Sequence, residues 1–297
     1  MPYNSIVLVK QVPDTRAVTG EVMTAEGTMN RSALPAIFNP EDLNALEMAL
    51  QIKEQHGGTV TVLTMGPMQA AEVLREALYR GTDRVVLLTD RKFAGADTQA
   101  TSYTLAKAVE KLGAYDLVLC GRQAIDGDTA QVGPQTAEKL GVPQITYAES
   151  IASLRGDEIV VQRAFDLGTE LVKCKLPCLL TVTGSANQPR PASARKRIEY
   201  KLAAVPAEYS RLLQKWPEFG SETELEQILA ERNLKITTWT AADLDVDEAQ
   251  LGLGGSPTQV HKVNYVVLEG AESKEVTPTA EGIRALIEEL VKEYIVG

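Results

Sequence analysis

Cys120-Gly121-Arg122-Gln123-Ala124-Ile125-Asp126-Gly127-Asp128-Thr129-Ala130-Gln131-Val132-Gly133-Pro134-Gln135 is the stretch on which the fold turns. An apolar run, Tyr115 to Leu119, stands before it and reads as a buried parallel strand. A helical pattern, Pro134 to Leu140, follows. Gly133 before Pro134 predicts a helix start, because proline at the first helical position loses only an N–H that had no partner. A small, hydroxyl-rich loop between strand and helix lets backbone N–H groups approach a phosphate, which the helix dipole also favours. An ordinary strand-to-helix turn fits the same residues, and the loop alone does not choose.

The flanking chain repeats the pattern. Ser5 to Val9, Thr59 to Met65 and Arg84 to Leu88 predict strands; Asn39 to His56, Pro67 to Arg80 and Gln99 to Leu112 predict helices. Residues 16–36 predict a hairpin or excursion. Asn39 reads as a cap, with Glu41 and Asp42 facing the helix dipole. Asn39-Pro40, Gly66-Pro67 and Gly133-Pro134 each open a helix, and three such starts in one α/β unit lean toward a nucleotide crevice at the strands' carboxyl ends. Gln144 to Tyr147 and Leu179 to Thr183 predict further strands. Glu158 to Phe165 and Glu170 to Lys175 predict an antiparallel ribbon. The reading is a doubly wound, mostly parallel sheet with an antiparallel edge over 1–184, a loop and insertion over 185–250, and a C-terminal loop and helix over 251–297.

Composition narrows the function. The chain has 297 residues, 44% of them hydrophobic, enough for a full α/β core. Lys+Arg number 30 against Asp+Glu 40, a net charge of −10 that disfavours nucleic acid as partner. Cys120, Cys174 and Cys178 suit a reducing compartment; with no signal-peptide pattern or long apolar run, the expectation is a cytoplasmic protein. His56 and His261 sit in no nucleophile or metal pattern, and neither a Gly-x-Gly-x-x-Gly nor a Walker A motif occurs. Asp126-Gly127-Asp128 lacks the remaining positions of a calcium loop. A site without nucleophile, base or metal points to a cofactor that performs the chemistry itself. One basic, proline-punctuated run, Asn187 to Arg197, interrupts the acidic chain; it reads as a solvated loop or as a face for an acidic partner. Glu222 to Asn233 predicts an acidic helix, and Thr279 to Tyr294 an amphipathic one that docks on a partner or on its own sheet.

These residues resemble the β subunit of electron transfer flavoproteins, over residues 4 to about 200 and again over 251–297. Val9-Lys10-Gln11-Val12-Pro13-Asp14-Thr15, Phe38-Asn39-Pro40, Thr64-Met65-Gly66-Pro67 and Gly121-Arg122-Gln123-Ala124-Ile125-Asp126 are similar to the family generally. Asp90 to Thr98, Gly127 to Pro134 and Gly255-Ser256-Pro257-Thr258-Gln259-Val260 resemble its electron-bifurcating branch. The resemblance implies an adenine nucleotide α-hydrolase-like sheet with an extended C-terminal arm, and a heterodimer with an α subunit carrying its own FAD. In the bifurcating branch this subunit holds a second FAD, takes a hydride from NADH, and splits the electrons between the α-subunit flavin and ferredoxin or flavodoxin. In the other branch it holds AMP and serves transfer between a dehydrogenase and a quinone-linked oxidoreductase.

The implied cofactor residues are Leu8, Asn39, Met65, Gly66, Asp90, Phe93, Ala94, Asp97, Thr98, Thr101, Gly121, Gln123, Asp126, Gly127, Asp128, Thr129, Ala130, Gln131, Val132, Gly133 and Pro134. Asp126 to Pro134 would take the diphosphate, Asn39 and Gly66 the adenosine half, and residues 90–101 the flavin end. Because Asp126 and Asp128 repel phosphate, they are assigned to ribose hydroxyls or backbone N–H groups. Pro189, Arg190, Ser193, Arg195, Lys196 and Arg197 would meet the partner. Here the chain departs from the family: Ala194 stands where a Leu or Ile usually plugs an acyl-CoA dehydrogenase, and full burial of the larger side chain is worth ~1.5–3 kcal/mol. A second departure, about 206–237 with Trp216, reads as a docking face for a quinone-linked membrane oxidoreductase or as structural embellishment. A stand-alone adenine-nucleotide hydrolase would need an acid–base set or a glycine phosphate motif, and neither is present.

Overall fold

The computed structural model describes residues 1–14, 35–258 and 275–292. In chain order its strands and helices are β1 (Ser5–Val9), β2 (Gln11–Pro13), β3 (Ala36–Phe38), α1 (Pro40–His56), β4 (Val60–Met65), α2 (Ala71–Arg80), β5 (Arg84–Leu88), α3 (Thr98–Leu112), β6 (Leu117–Gly121), α4 (Val132–Leu140), β7 (Gln144–Arg155), β8 (Glu158–Phe165), β9 (Gly168–Lys175), β10 (Cys178–Val182), α5 (Ala194–Tyr200), α6 (Tyr209–Lys215), α7 (Glu222–Glu231), β11 (Thr237–Trp239) and α8 (Ala280–Lys292). The hairpin expected over 16–36 lies mostly outside the described residues, as do Gln259, Val260 and the end of the terminal helix; β2 and β3, which flank the former, pair antiparallel.

Nine strands form one sheet in the order β11-β5-β4-β1-β6-β10-β7-β8-β9. From β11 to β7 every pairing is parallel; β7, β8 and β9 are antiparallel. The doubly wound sheet with an antiparallel edge is therefore present. Successive residues of a strand face opposite sides, so Val7, Val62, Leu87 and Leu119 pack with α1 and α2, while Ile6, Leu63, Val86 and Val118 pack in a second layer with Leu105 and Val109 of α3 and Ala137 of α4. Chain order runs from β1 outward through β4 to β5, then reverses to β6 on the other side of β1. The reversal places the switch point of the fold between β1 and β6, and open α/β sheets bind ligands in the crevice at the strands' carboxyl ends beside such a point.

Several boundaries differ from expectation. The strand before the key loop starts at Leu117, leaving Tyr115 outside. Helix α4 starts at Val132 with Gln131 as cap, so Pro134 is its third residue; proline is tolerated there because the first-turn N–H groups have no helical partner. Strand β7 runs on to Arg155 rather than stopping at Tyr147. Tyr147 itself has φ of 57°, and the register against β10 shifts between Leu180 and Val182. This bulge turns β7 from the parallel sheet into its antiparallel pairing with β8.

Two compact units divide the chain, 1–261 and 262–297. Residues 185–250 belong to the first, and β11 joins the sheet beside β5. Ala204 donates its N–H to Leu234 O at 3.0 Å and accepts from Ile236 N at 2.9 Å, so the helical excursion with α6 and α7 leaves and re-enters at one point. In the second unit α8 has no buried residue; Ile283, Ile287 and Val291, four apart, form one apolar stripe, each about half exposed. Among the described residues no helix is long and apolar enough to cross a membrane.

Candidate functional site

The crevice between β1 and β6 is bounded by Lys10 and by the loop from Gly121 to Gln131. The first turn of α1 builds it. Asp42, buried, accepts the N–H of Lys10 on Oδ2 and the N–H of Gly121 on Oδ1, each at 2.8 Å. Glu41 accepts Gln123 N at 3.0 Å and pairs with Arg122 at 3.0 Å. Asn39 accepts Ile125 N at 3.1 Å and donates Nδ2–H to Gln123 O at 2.9 Å. These three side chains therefore hold the loop of another strand. Asn39 makes no side-chain cap on its own helix, because both ends of its amide are already engaged.

Held from below, the loop adopts a costly backbone. Asp128 and Ala130 have φ of 47° and 52°, in the left-handed region that costs non-glycine residues roughly 1–2 kcal/mol each. Gly127 and Asp128 turn their N–H groups back to Ala124 O at 3.3 and 2.9 Å; a backbone that enters the left-handed region beyond such a turn can form a concavity suited to an anion. Gly127, Asp128, Thr129 and Gln131 are exposed, at the start of α4. The charge problem posed by the two aspartates is answered locally. Lys10 Nζ donates to both oxygens of Asp126 at 2.7 and 2.8 Å, and Gln123 Nε2 donates to Asp128 Oδ1 at 2.9 Å. Asp126 thus has an ammonium partner.

Neighbouring loops close around this one. Thr98 Oγ1 donates to Gln131 Oε1 at 2.9 Å, joining the starts of α3 and α4. Asp97 caps α3 through Ala100 N at 3.0 Å and accepts the N–H and hydroxyl of Thr258 at 3.0 and 2.7 Å. Burial pushes its carboxyl up, but the donors from Ala100 and Thr258 prevail and hold it below the usual carboxylate range. Asp90 accepts Lys92 N and Ala241 N, each at 3.0 Å, tying the end of β5 to the segment after β11; Lys92 N–H first, then Ala241, keeps it below its ordinary value.

The structure brings together Asn39, Gly121, Gln123, Asp126 to Val132, Thr98 and Asp97. Met65 and Gly66 end β4, with Gly66 N donating to Leu88 O at 3.0 Å, and Ala94 is exposed; Thr101 donates its N–H to Asp97 O within the first turn of α3. Leu8 and Phe93 are buried in the second core layer beneath the loops. Gly133 is also buried: a Cβ there would lie 2.7 Å from Cys120 Sγ and 2.8 Å from Thr181 Cγ2. Its bareness lets α4 approach β6 and β10. Sequence reading missed Lys10 and Asp42 as site-builders. Acids in a first turn are commonplace, so Asp42 carried no distinguishing signal.

The partner segment has a different character. Arg190 forks between Glu47 (Nε to Oε2, 2.8 Å; Nη2 to Oε1, 3.0 Å) and Glu54 (Nη1 to Oε1, 2.5 Å) of α1. Arg195, Arg197 and Ile198 of α5 are exposed, and Ser193 caps that helix. Ile198, one turn after Ala194, is 71% exposed.

The sequence profile of the electron transfer flavoprotein domain matches residues 26–208. The chain is 42% identical over 293 residues to the electron transfer flavoprotein subunit beta of Clostridium acetobutylicum, covering 99% of this chain and 100% of that protein. It is 41% identical over 293 residues to the caffeyl-CoA reductase-Etf complex subunit CarD of Acetobacterium woodii, covering 98% and 99%. Protein FixA of Azorhizobium caulinodans is 43% identical over 265 residues, covering 87% of this chain and 83% of that protein. With a doubly wound sheet, a switch-point crevice and these relatives, the chain belongs to the electron transfer flavoprotein family, as a β subunit.

Proposed function

We propose that this β subunit binds FAD in the switch-point crevice and works in a heterodimer with an α subunit that carries a second flavin. It oxidises NADH and directs one electron to the α-subunit flavin and the other to ferredoxin or flavodoxin. The observation that carries this reading is the loop from Asp126 to Gln131 before α4, with two left-handed non-glycine residues, exposed positions at 127–129 and 131, and Asp126 paired with Lys10. The residues fit a dinucleotide: a loop backbone able to turn toward the diphosphate, Asp126 charge-paired with Lys10 and Asp128 hydrogen-bonded by Gln123, and adjoining loops at 65–66 and 90–101 to receive its two ends. Bound there, FAD would supply hydride acceptance and one-electron release. The protein's own part is to bind and orient it through residues 121–134.

The resemblance of residues 90–98, 127–134 and 255–260 to the bifurcating branch supports FAD over AMP. The apolar stripe of α8 is the surface we assign to the α subunit. Arg195, Lys196 and Arg197 would steer an acidic redox partner, an acyl-CoA dehydrogenase or a quinone-linked oxidoreductase, in a cytoplasmic setting. Flavin and nucleotide content of the purified heterodimer tests the proposal. Two FAD without AMP, both bleached by NADH, is expected; one FAD with one AMP returns the chain to a non-bifurcating role.

A further inference from the structure

Two side-chain links join the lips of the crevice: the exposed Lys10–Asp126 ion pair and, beneath it, the buried carboxylate of Asp42. Lys10 follows β1 and Gly121 ends β6; Asp42 takes an N–H from each, at 2.8 Å. The side chains of Glu41 and Asn39 reach the β6 side, at Arg122, Gln123 and Ile125, while the Asn39 backbone N–H donates to Lys10 O at 3.0 Å. The fit is close: a Cβ on Gly121 would sit 2.6 Å from Asp42 Oδ1. We propose that Asp42 is the positioning residue of the nucleotide crevice: its ionised carboxylate, bonded to both strand exits, sets the spacing at which Lys10 and the Gly121–Gln131 loop meet a diphosphate, and its protonation loosens that grip. This rests on the reading that the crevice holds a nucleotide.

The chemistry is that of a two-oxygen acceptor. An ionised carboxylate receives both N–H groups; a protonated one turns one oxygen into a donor, and the N–H facing it is left unpaired. Burial pushes Asp42 up to about 7, against the opposing N–H bonds of Gly121 and Lys10, so the change of state falls near neutral pH. Ionisable groups on the surrounding elements include the Lys10 ammonium after β1, Arg122, Asp126 and Asp128 after β6, Glu41 at the start of α1 and Glu47, Lys53 and Glu54 further along it, the Cys120 thiol on β6 and the Cys178 thiol at the far end of β10. Burial raises both thiols, which keeps them neutral. His56, on α1, lies at the opposite end, its ring 5.5 Å from that of Tyr3.

The test is FAD binding to the full-length chain, followed by flavin fluorescence from about pH 8.5 to about pH 6, a range in which the diphosphate of FAD does not titrate. Loss of one hydrogen-bond acceptor predicts that wild-type affinity weakens about three- to tenfold as pH falls through about 7. Asp42→Asn should show the weak, low-pH affinity throughout, with faster amide hydrogen exchange in peptides covering Lys10 and Gly121. His56→Gln and His261→Gln should keep the wild-type profile. A flat wild-type profile, a profile that vanishes with either histidine, or an Asp42→Asn protein with wild-type affinity at high pH overturns the proposal, and the first two need no Asp42 variant to fold. If the wild type takes up no FAD at any pH, the nucleotide reading fails instead. Exchange at Lys10 and Gly121 then judges Asp42 alone, and unchanged protection in Asp42→Asn overturns its role.

Discussion

The loop after β6 and the segment from Asn187 to Tyr200 both leave a strand end and both lean on α1, yet they are held in opposite ways. In the loop, side chains of α1 grip backbone: Asn39, Glu41 and Asp42 bond Ile125, Gln123 and Gly121. In the segment, α1 grips mainly one side chain, Arg190, through Glu47 and Glu54, with Asn44 donating to Asn187 O at 2.7 Å. Beyond that anchor the basic residues of α5 face outward, Arg195 and Arg197 exposed, with Lys196 beside Glu199 and Arg197 over the Tyr79 ring. Gripped backbone fixes geometry, which a cofactor requires. An anchored root with free charges leaves orientation loose and attraction long-ranged, which suits brief encounters between proteins. One helix thus holds a loop backbone with its first turn and anchors an exposed basic face with its later ones.

The comparison breaks most readily at Gly133. Gly133→Val places atoms inside contact distance of Cys120 and Thr181, which should cost about 3 kcal/mol of stability and release any nucleotide held by the loop; denaturant unfolding and nucleotide content check both. Retention of the nucleotide with a normal midpoint would show that α4 need not sit close.

Arg190→Ala comes next, with an expected loss of roughly 2 kcal/mol at neutral pH because Glu47 stays buried without its cation. Burial raises the Glu47 carboxyl, but Arg190 outweighs it and the net shift is downward. A depressed carboxylate contributes stability above its unfolded value and loses it as pH falls through the folded one. The difference between Arg190→Ala and wild type should therefore be full at neutral pH and shrink below about pH 4.5, as urea unfolding at several pH values would reveal. A constant difference would make Arg190 a packing residue only.

Lys10→Met sharpens the cofactor side. It leaves the Asp126 carboxylate uncompensated beside the anion loop, and FAD affinity should drop about fivefold, with most of the loss restored by adding Asp126→Asn. Additive losses in that cycle would separate the two residues. The smallest stability effect belongs to α5: Arg195→Glu with Lys196→Glu and Arg197→Glu should move the unfolding midpoint by less than about 0.5 kcal/mol, while slowing electron transfer to the partner. Unchanged turnover would make α5 a bystander.

Most of the sheet was legible because buried parallel strands write themselves as apolar runs: β1, β4, β5, β6 and β10 are all of this kind. Strand β7 was legible only at its start, since beyond Tyr147 it alternates exposed and buried residues on an edge and contains a bulge that no local residue announces. Strand β11 has three half-buried residues, too few for a period. The loop from Asp126 to Gln131 was legible from its small residues and its place between strand and helix. Its supports were not, because Lys10 and Asp42 lie 116 and 79 residues from their partners Asp126 and Gly121, and sequence spacing does not carry such pairings. Ala194 pointed to a missing apolar contact; only the helix showed Ile198 one turn further along the same face.

The double bond pattern at Ala204, which receives the chain back at Leu234 and Ile236, makes the intervening helices a cassette with fixed ends. Tyr209, Leu225 and Leu229 tie it to the core, so its exposed parts, Glu222 and Glu231 of α7 among them, are where length can change, because the entropy of closing such an excursion rises only slowly with its length. Change in length there stays at the periphery, away from the strand exits at Lys10 and Gly121.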